Sequence, residues 1–232
     1  MSNPLPPCRL SLVFAAGVSI AVIIRRGPSN WFHVIKWNTA TDTFELGQWL
    51  HGKIYAERCG LSPDGLLFVY FAAKRSHVRK TEGYRETYTA VSKPPYLTAL
   101  AMWPEGSTWG GGGRFTKNLT LCLAYGNGRT RTPHDSKTEI FMSHMPIPHP
   151  NHPSGLLTIE TNLERYRPNQ DFLRDPTHYP KADWTGVDHA SRPIFIREGR
   201  LYSYINNQEH LLRDFNQDSP YKLASPDWAR TW

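Results

Sequence analysis

Four groups of residues in this chain have types and spacings that can do chemistry. The segment HMPIPHPNHP holds His144, His149 and His152, with His134 upstream. Imidazole nitrogens suit zinc, copper or nickel. The prolines between them favour an extended backbone, and no acid or cysteine lies alongside to complete a ligand set. The segment therefore reads as a solvated, partly polyproline loop, with metal binding left open. The run TWGGGGRF (108–115) suggests a phosphate cradle. Such a cradle needs a Lys–Ser/Thr pair after the glycines and a helix whose amides point at the phosphate. Here Arg114 and Phe115 open a strand, so the glycines are expected to allow close backbone approach between neighbouring units.

The third group is basic. KRSHVRKTEGYRETY (74–88) interleaves cations with Tyr84 and Tyr88, a composition able to meet phosphates and stack bases. It reads equally as a long solvated loop joining two strands. Loops on a rigid scaffold are where binding concentrates. The candidate binding residues are therefore Lys74, Arg75, His77, Arg79, Lys80 and Tyr84, together with Trp109 beside the glycines. The fourth group is acidic: Asp64, Glu139, Asp183 and Asp188 could serve hydrolysis as an acid and a base. Asp64 is better explained by a turn, and Asp183 by a structural contact ahead of Trp184. There is no G-x-S-x-G elbow and no cysteine in a nucleophile signature. No catalytic residue, metal site or cofactor is assigned, and whether the chain is an enzyme stays open, with a non-enzyme favoured.

The elements that must position these residues are short. The chain has 232 residues, with aromatics at 12%, 17 glycines and 19 prolines. Apolar runs are brief and cut by Gly, Pro, Asn and Asp, and little repeats at helical spacing, which points to an all-β protein. Three widely separated cysteines without C-x-x-C spacing argue against a disulfide framework and for a reducing compartment, the cytoplasm. The run SLVFAAGVSIAVII (11–24) is too short to span a bilayer and reads as two strands turning at Ala16–Gly17, so no membrane role is expected. A net charge of +7 is spread along the chain, which gives only weak support for nucleic acid or another polyanion as a partner.

In LSPDG (61–65), Pro63 presets φ, Asp64 can bond its own backbone and Gly65 tolerates positive φ, so a tight turn should join IYAERC to the strand LLFVYFAA. Further strands are expected in 9–15, 19–25, 32–50 as a pair around NTATD, 86–92, 96–103, 139–143, 156–161 and in three runs from 193 to 215. Laying Phe115 on Leu61 places Asn118 on Asp64 and LCLAY on LFVYF. Unit starts then fall near Arg9, Ile54, Gly112 and Ala182, with an irregular Pro-rich insertion at about 126–181. Trp37, Trp103 and Trp184 are expected to pack between units. Trp109, Trp228 and Trp232 are expected at the surface.

LSPDGLLFVYFAA resembles the SPDG-type blade motif of TolB-like and WD40-like β-propellers, and IKWNTATDTFEL is similar to the outer hairpin of such a blade. The resemblance covers about half the chain; the GH dipeptide of a regular WD40 repeat is missing, and ADW stands where WD would be. It implies a small propeller of four or five antiparallel four-stranded blades in one domain, 1–232. It further implies a ring closed by strand pairing, with 9–15 bonded to a strand between 182 and 215. The expected function is a non-catalytic intracellular module that binds or scaffolds a protein partner. The alternative is a carbohydrate-active propeller with an acidic axial pocket.

Overall fold

The structure is a computed structural model and describes residues 6–74, 86–106, 108–124, 147–162 and 181–232. The strand expected at 139–143 and most of the Pro-rich stretch lie outside these residues. The first sheet is a meander of β1 (Arg9–Phe14), β2 (Ile20–Arg26), β3 (Trp31–Asn38) and β4 (Thr43–His51). The second holds β5 (Lys53–Ile54), β6 (Gly60–Leu61), β7 (Phe68–Ala73), β8 (Thr87–Ser92) and β9 (Ala101–Pro104). The third begins with β10 (Gly113–Phe115) and β11 (Leu121–Ala124). A two-stranded ribbon follows, β12 (Ile147–Pro148) with β13 (Leu156–Leu157), before β14 (Ile159–Asn162) joins the third sheet. The fourth is the meander β15 (Trp184–Val187), β16 (Pro193–Arg197), β17 (Arg200–Ile205) and β18 (Gln208–Asp214). The only helical pieces among the described residues are short 3-10 turns, such as Ala56–Arg58 and Asp227–Ala229. None is long and apolar enough to cross a membrane.

The sheets stack on one another through apolar faces. Alternation along β2 sends Val22 and Ile24 toward the second sheet, where they meet Phe68, Tyr70 and Ala72. It sends Ala21 and Ile23 the other way, onto Ile194, Ile196 and Leu201 of the fourth. A strand buried on both faces needs a continuous apolar run, which is why this stretch could be mistaken for a targeting segment. Val69, Val91 and Trp103 carry the other face of the second sheet onto Leu121 and Leu123 of the third. The stacking order is therefore fourth, first, second, third. Trp37 and Trp184 lie at the first of these interfaces and Trp103 at the last, as packing residues.

One turn recurs in three sheets, between β6 and β7, β10 and β11, and β15 and β16. Ser62, Thr116 and Asp188 each accept a bond on their side-chain oxygen from a backbone N–H four or five residues on. Each also accepts, on its carbonyl, the N–H of the residue three positions later. That later residue is Gly65, Leu119 or Ser191, with φ of 73°, 60° and 60°. A short side-chain acceptor followed by a left-handed residue is the local code for the turn.

Several sequence expectations fail in instructive ways. The strand before LSPDG is broken by the 3-10 turn at Ala56–Arg58, leaving two-residue strands on either side. The strand expected from Tyr96 starts only at Ala101, because the chain from Lys93 crosses the first sheet, where Pro95 O accepts the Gln48 N–H. The stretch 156–161 splits at Thr158, and β14 pairs parallel with β11. The expected strand clasp between 9–15 and the last unit is also overturned. β1 pairs with β2 from Arg9↔Arg26 to Phe14↔Ala21, and it meets the fourth sheet through the side chains of Leu10 and Leu12.

The segment after β18 ties the sheets together instead. Arg25, almost wholly buried, donates from Nε to Phe215 O (2.8 Å) and from Nη2 to Asp218 O (2.9 Å). Gln48 Nε2 donates to Leu223 O and Ser225 Oγ, while its Oε1 accepts the Leu97 N–H. Lys93 Nζ then donates to Trp228 O and Thr231 O. This strap leaves the fourth sheet, crosses the first and ends on the second.

Gly65 tests the turn. A Cβ there would stand 3.1 Å from Ile20 Cβ, on a backbone that penalises branched side chains. Gly65→Val should lower unfolding free energy by about 2 kcal/mol in urea titrations. An unchanged midpoint would show that the turn relaxes freely.

Candidate binding site

Proline and aspartate in LSPDG make a turn that reaches beyond its own sheet. Asp64 Oδ1 accepts from the Ser62 hydroxyl (2.7 Å) and from the Leu66 N–H (3.2 Å). Its Oδ2 accepts from Asn151 Nδ2 (2.7 Å), in the turn of the β12–β13 ribbon. Pro63 O accepts the Gly17 N–H from the β1–β2 turn. Burial works to raise the Asp64 pKa, but the Ser62 hydroxyl, the Asn151 amide and the Leu66 N–H outweigh it and hold the carboxyl below its usual range. Asp64 is thus an ionised structural acid.

The ribbon corrects the solvated-loop reading of the histidine segment. The His149 side chain is fully buried, and its Nδ1 accepts the Asn151 N–H. In the neutral ring the proton then sits on Nε2. That nitrogen lies 3.3 Å from Asp64 Oδ2 but out of hydrogen-bonding alignment, so it is left without a bond. Burial lowers the His149 pKa, with Asp64 opposing the shift. His152 caps the ribbon turn through Ser154. His134 and His144 lie outside the described residues, and no group of three metal-ligating side chains occurs among those described.

Between the SPDG turn, the ribbon and the strap is a cavity of about 550 Å³. Leu66 and Leu67 line it from the turn, Pro148 and Pro150 from the ribbon, and Trp228 and Trp232 from the strap. Lys36 enters from β3, and Lys93 with Pro94 from the end of β8. No Asp or Glu side chain belongs to this lining among the described residues.

The binding residues expected from sequence sit at the other end of the second sheet. Lys74 follows β7 and is exposed, and its N–H bonds Glu86 O, so residues 75–85 form the β7–β8 connection. Arg75, His77, Arg79, Lys80 and Tyr84 lie within that connection, outside the described residues. Trp109 is 84% exposed. Its loop leaves from the same end, since Glu105 N–H bonds Thr87 O. Arg58 Nη1 holds the loop by donating to Thr108 O and Gly110 O. The structure therefore brings Lys74 and the Trp109 loop to one end of the sheet. β7 separates that end from the cavity by about 20 Å, at about 3.3 Å per residue.

The glycines beside Trp109 make close approaches, as expected. A Cβ on Gly111 would sit 2.3 Å from the Phe71 ring, and one on Gly112 would sit 2.4 Å from Arg58 O. Their N–H groups are already used, on Ala124 O and Thr89 Oγ1, which removes the amides a phosphate would need. The acids proposed for hydrolysis are likewise engaged. Asp183 accepts the Glu198 N–H, and Asp188 accepts Arg192 Nε and two backbone N–H groups. Glu139 lies outside the described residues. Lys36 and Lys93 carried no signal in the sequence, because they come from two sheets and meet only through the stacking.

Comparison of the chain with family models, with curated proteins and with solved structures returned no match. The site therefore rests on its own geometry.

A second buried imidazole gives the molecule a pH dependence. His33 stacks on Trp49 at 4.3 Å and pairs with Gly47 O at 3.1 Å. Burial, with Arg25 and Arg213 nearby, lowers its pKa to about 4, against a weaker raising effect of the Gly47 bond. Asp218 lies 4.0 Å away, but Arg213 pairs with that carboxylate at 2.9 Å. The unfolded chain takes up this proton near pH 6.5 and the folded chain only near 4, so stability is complete above 6.5 and falls across that window. Between pH 7 and 5 the loss from His33 should be about 2 kcal/mol. Chemical denaturation at both pH values checks this, and His33→Gln should flatten the dependence.

Proposed function

We propose that the chain is a small β-propeller of four blades that binds or scaffolds a protein partner and carries no chemistry of its own. Support for the propeller comes from the sheets stacking face to face in chain order, with the fourth on the first. The repeated turn at Ser62, Thr116 and Asp188 adds to it. Contact between the third sheet and the fourth, which would close the ring, is part of the proposal. So is the kinship with SPDG-type propellers. Buried free thiols at Cys8 and Cys59 accord with a reducing, cytoplasmic setting.

The observation that carries the function is Trp109. An indole that exposed, on a loop tied down by Arg58 and closely packed glycines, offers an anchor for a partner. Lys74 lies at the same end of the second sheet, and the 75–85 stretch that follows it in the sequence is rich in lysine and arginine. The carbohydrate-active alternative gains no support, because Asp64, Asp183 and Asp188 are all spent on local bonds.

A photo-crosslinking residue at position 109, compared in the native cell with one at the exposed Val187, tests the reading. Position 109 should capture a discrete protein that position 187 does not. Trp109→Ala should weaken binding of that protein by about tenfold or more. Equal labelling at the two positions, or capture of nucleic acid alone, would overturn the proposal.

A further inference from the structure

The strap carries a hydroxyl that the fold leaves unused. Three Ser–Pro dipeptides occur in the chain, at Ser62, Ser219 and Ser225. Each presents the same side chain before the same ring, but the fold treats them differently. Ser62 is fully buried, and its hydroxyl donates to Asp64 Oδ1 at 2.7 Å. Ser225 is buried as well, with Oγ accepting from Gln48 Nε2 at 2.9 Å and in contact with Thr98 Oγ1. Ser219 is exposed, and neither its hydroxyl nor its backbone makes a hydrogen bond among the described residues. It stands between two points at which the strap is fastened, Asp218 O on Arg25 and Leu223 O on Gln48.

The backbone around Ser219 suits an enzyme that reads extended chain. Residues 218–226 form neither helix nor strand. Pro220 fixes its own φ and pushes Ser219 toward extended geometry. It also has no N–H to satisfy, so a subsite for the residue after the hydroxyl must receive a bare ring. Two residues further on, Lys222 is exposed and makes no ion pair among the described residues. An accessible hydroxyl, a proline directly after it and a cation at the third position form the pattern that proline-directed kinases read. We infer that Ser219 is the acceptor of a phosphoryl group transferred from ATP by a kinase of this class. The Ser219 oxygen attacks the γ-phosphorus as its bond to ADP breaks, and the hydroxyl proton passes to the kinase's catalytic carboxylate. The product adds a charge of about −1.5 to −2 to the strap. That charge adjoins Asp218, whose carboxylate is held by Arg213 at 2.9 Å. The site is separate from the protein-binding surface around Trp109.

Labelling of the full chain tests it, in a Thr132→Val background that removes the Thr–Pro dipeptide outside the described residues. The folded protein is incubated with MgATP and a proline-directed serine/threonine kinase, and phosphopeptides are quantified by mass spectrometry. Ser219 should take up phosphate at least about tenfold faster than Ser62 or Ser225, which react only after local opening. Pro220→Ala should cut the Ser219 rate by about tenfold or more. A strap merely loosened by that substitution would expose Ser219 further and raise the rate. Lys222→Ala, at an exposed side chain, should also slow the reaction. Protein isolated from its native cell with phosphatases inhibited should carry phosphate on Ser219. Absence of that phosphate, equal labelling of Ser62 or Ser225, or a Pro220→Ala rate at or above that of the parent would each overturn the inference. None of these results would alter crosslinking at position 109, so the two readings fail separately.

Discussion

The Asp64 carboxylate is the point on which the arrangement turns. Its two oxygens close the SPDG turn on one side and hold the β12–β13 ribbon on the other. The carbonyl just before it fastens the β1–β2 turn. The Asp64 carboxylate and the Pro63 carbonyl together thus fix three segments that are far apart in the chain, and these segments border the cavity. The arrangement works because the charge is answered by fixed dipoles and not by a mobile counter-ion.

Around that point the sheets are placed by burial. The first sheet has no solvated face along β2, so it is held on both sides and sets where the second and fourth can lie. Arg192 adds a polar tie across the same interface, with Nη1 on Asp42 Oδ2 at 2.6 Å and Nε on Asp188 at 2.8 Å. These ionic bonds are partly exposed and give register more than stability. The apolar faces supply the stability.

Much of this was legible in local residue order. Unit starts near Arg9, Ile54, Gly112 and Ala182 follow from turn residues set between aromatic runs, and the described strands begin at Arg9, Lys53, Gly113 and Trp184. The Leu61–Phe115 correspondence caught two copies of the recurrent turn. The third, at Asp188, was hidden because an aspartate replaces the hydroxyl of Ser62 and Thr116 as the side-chain acceptor. What depended on distant segments was not legible. The parallel pairing of β14, the strap and the burial of His149 all rest on partners far along the chain, which no window of local pattern contains. The cavity shares this trait. Trp228 and Trp232 could be read as exposed, but nothing in the sequence placed Lys36 and Lys93 beside them.

The strap also bears on how the molecule is made. Arg25 is synthesised about 190 residues before its acceptor at Phe215. Until then the guanidinium can sit in water, but the apolar face of β2 that meets the fourth sheet has nothing to cover it. Local pairing within each meander can form at once, whereas stacking that spans most of the chain carries a large loop-closure cost and is slow. A nascent chain of this protein would therefore display a sticky sheet until the fourth sheet, β15–β18, has been made. The stack can close only once the fourth sheet is present, and Arg25 finds its acceptors only when Phe215 and Asp218 follow, so the strap is as much a feature of folding order as of the finished architecture.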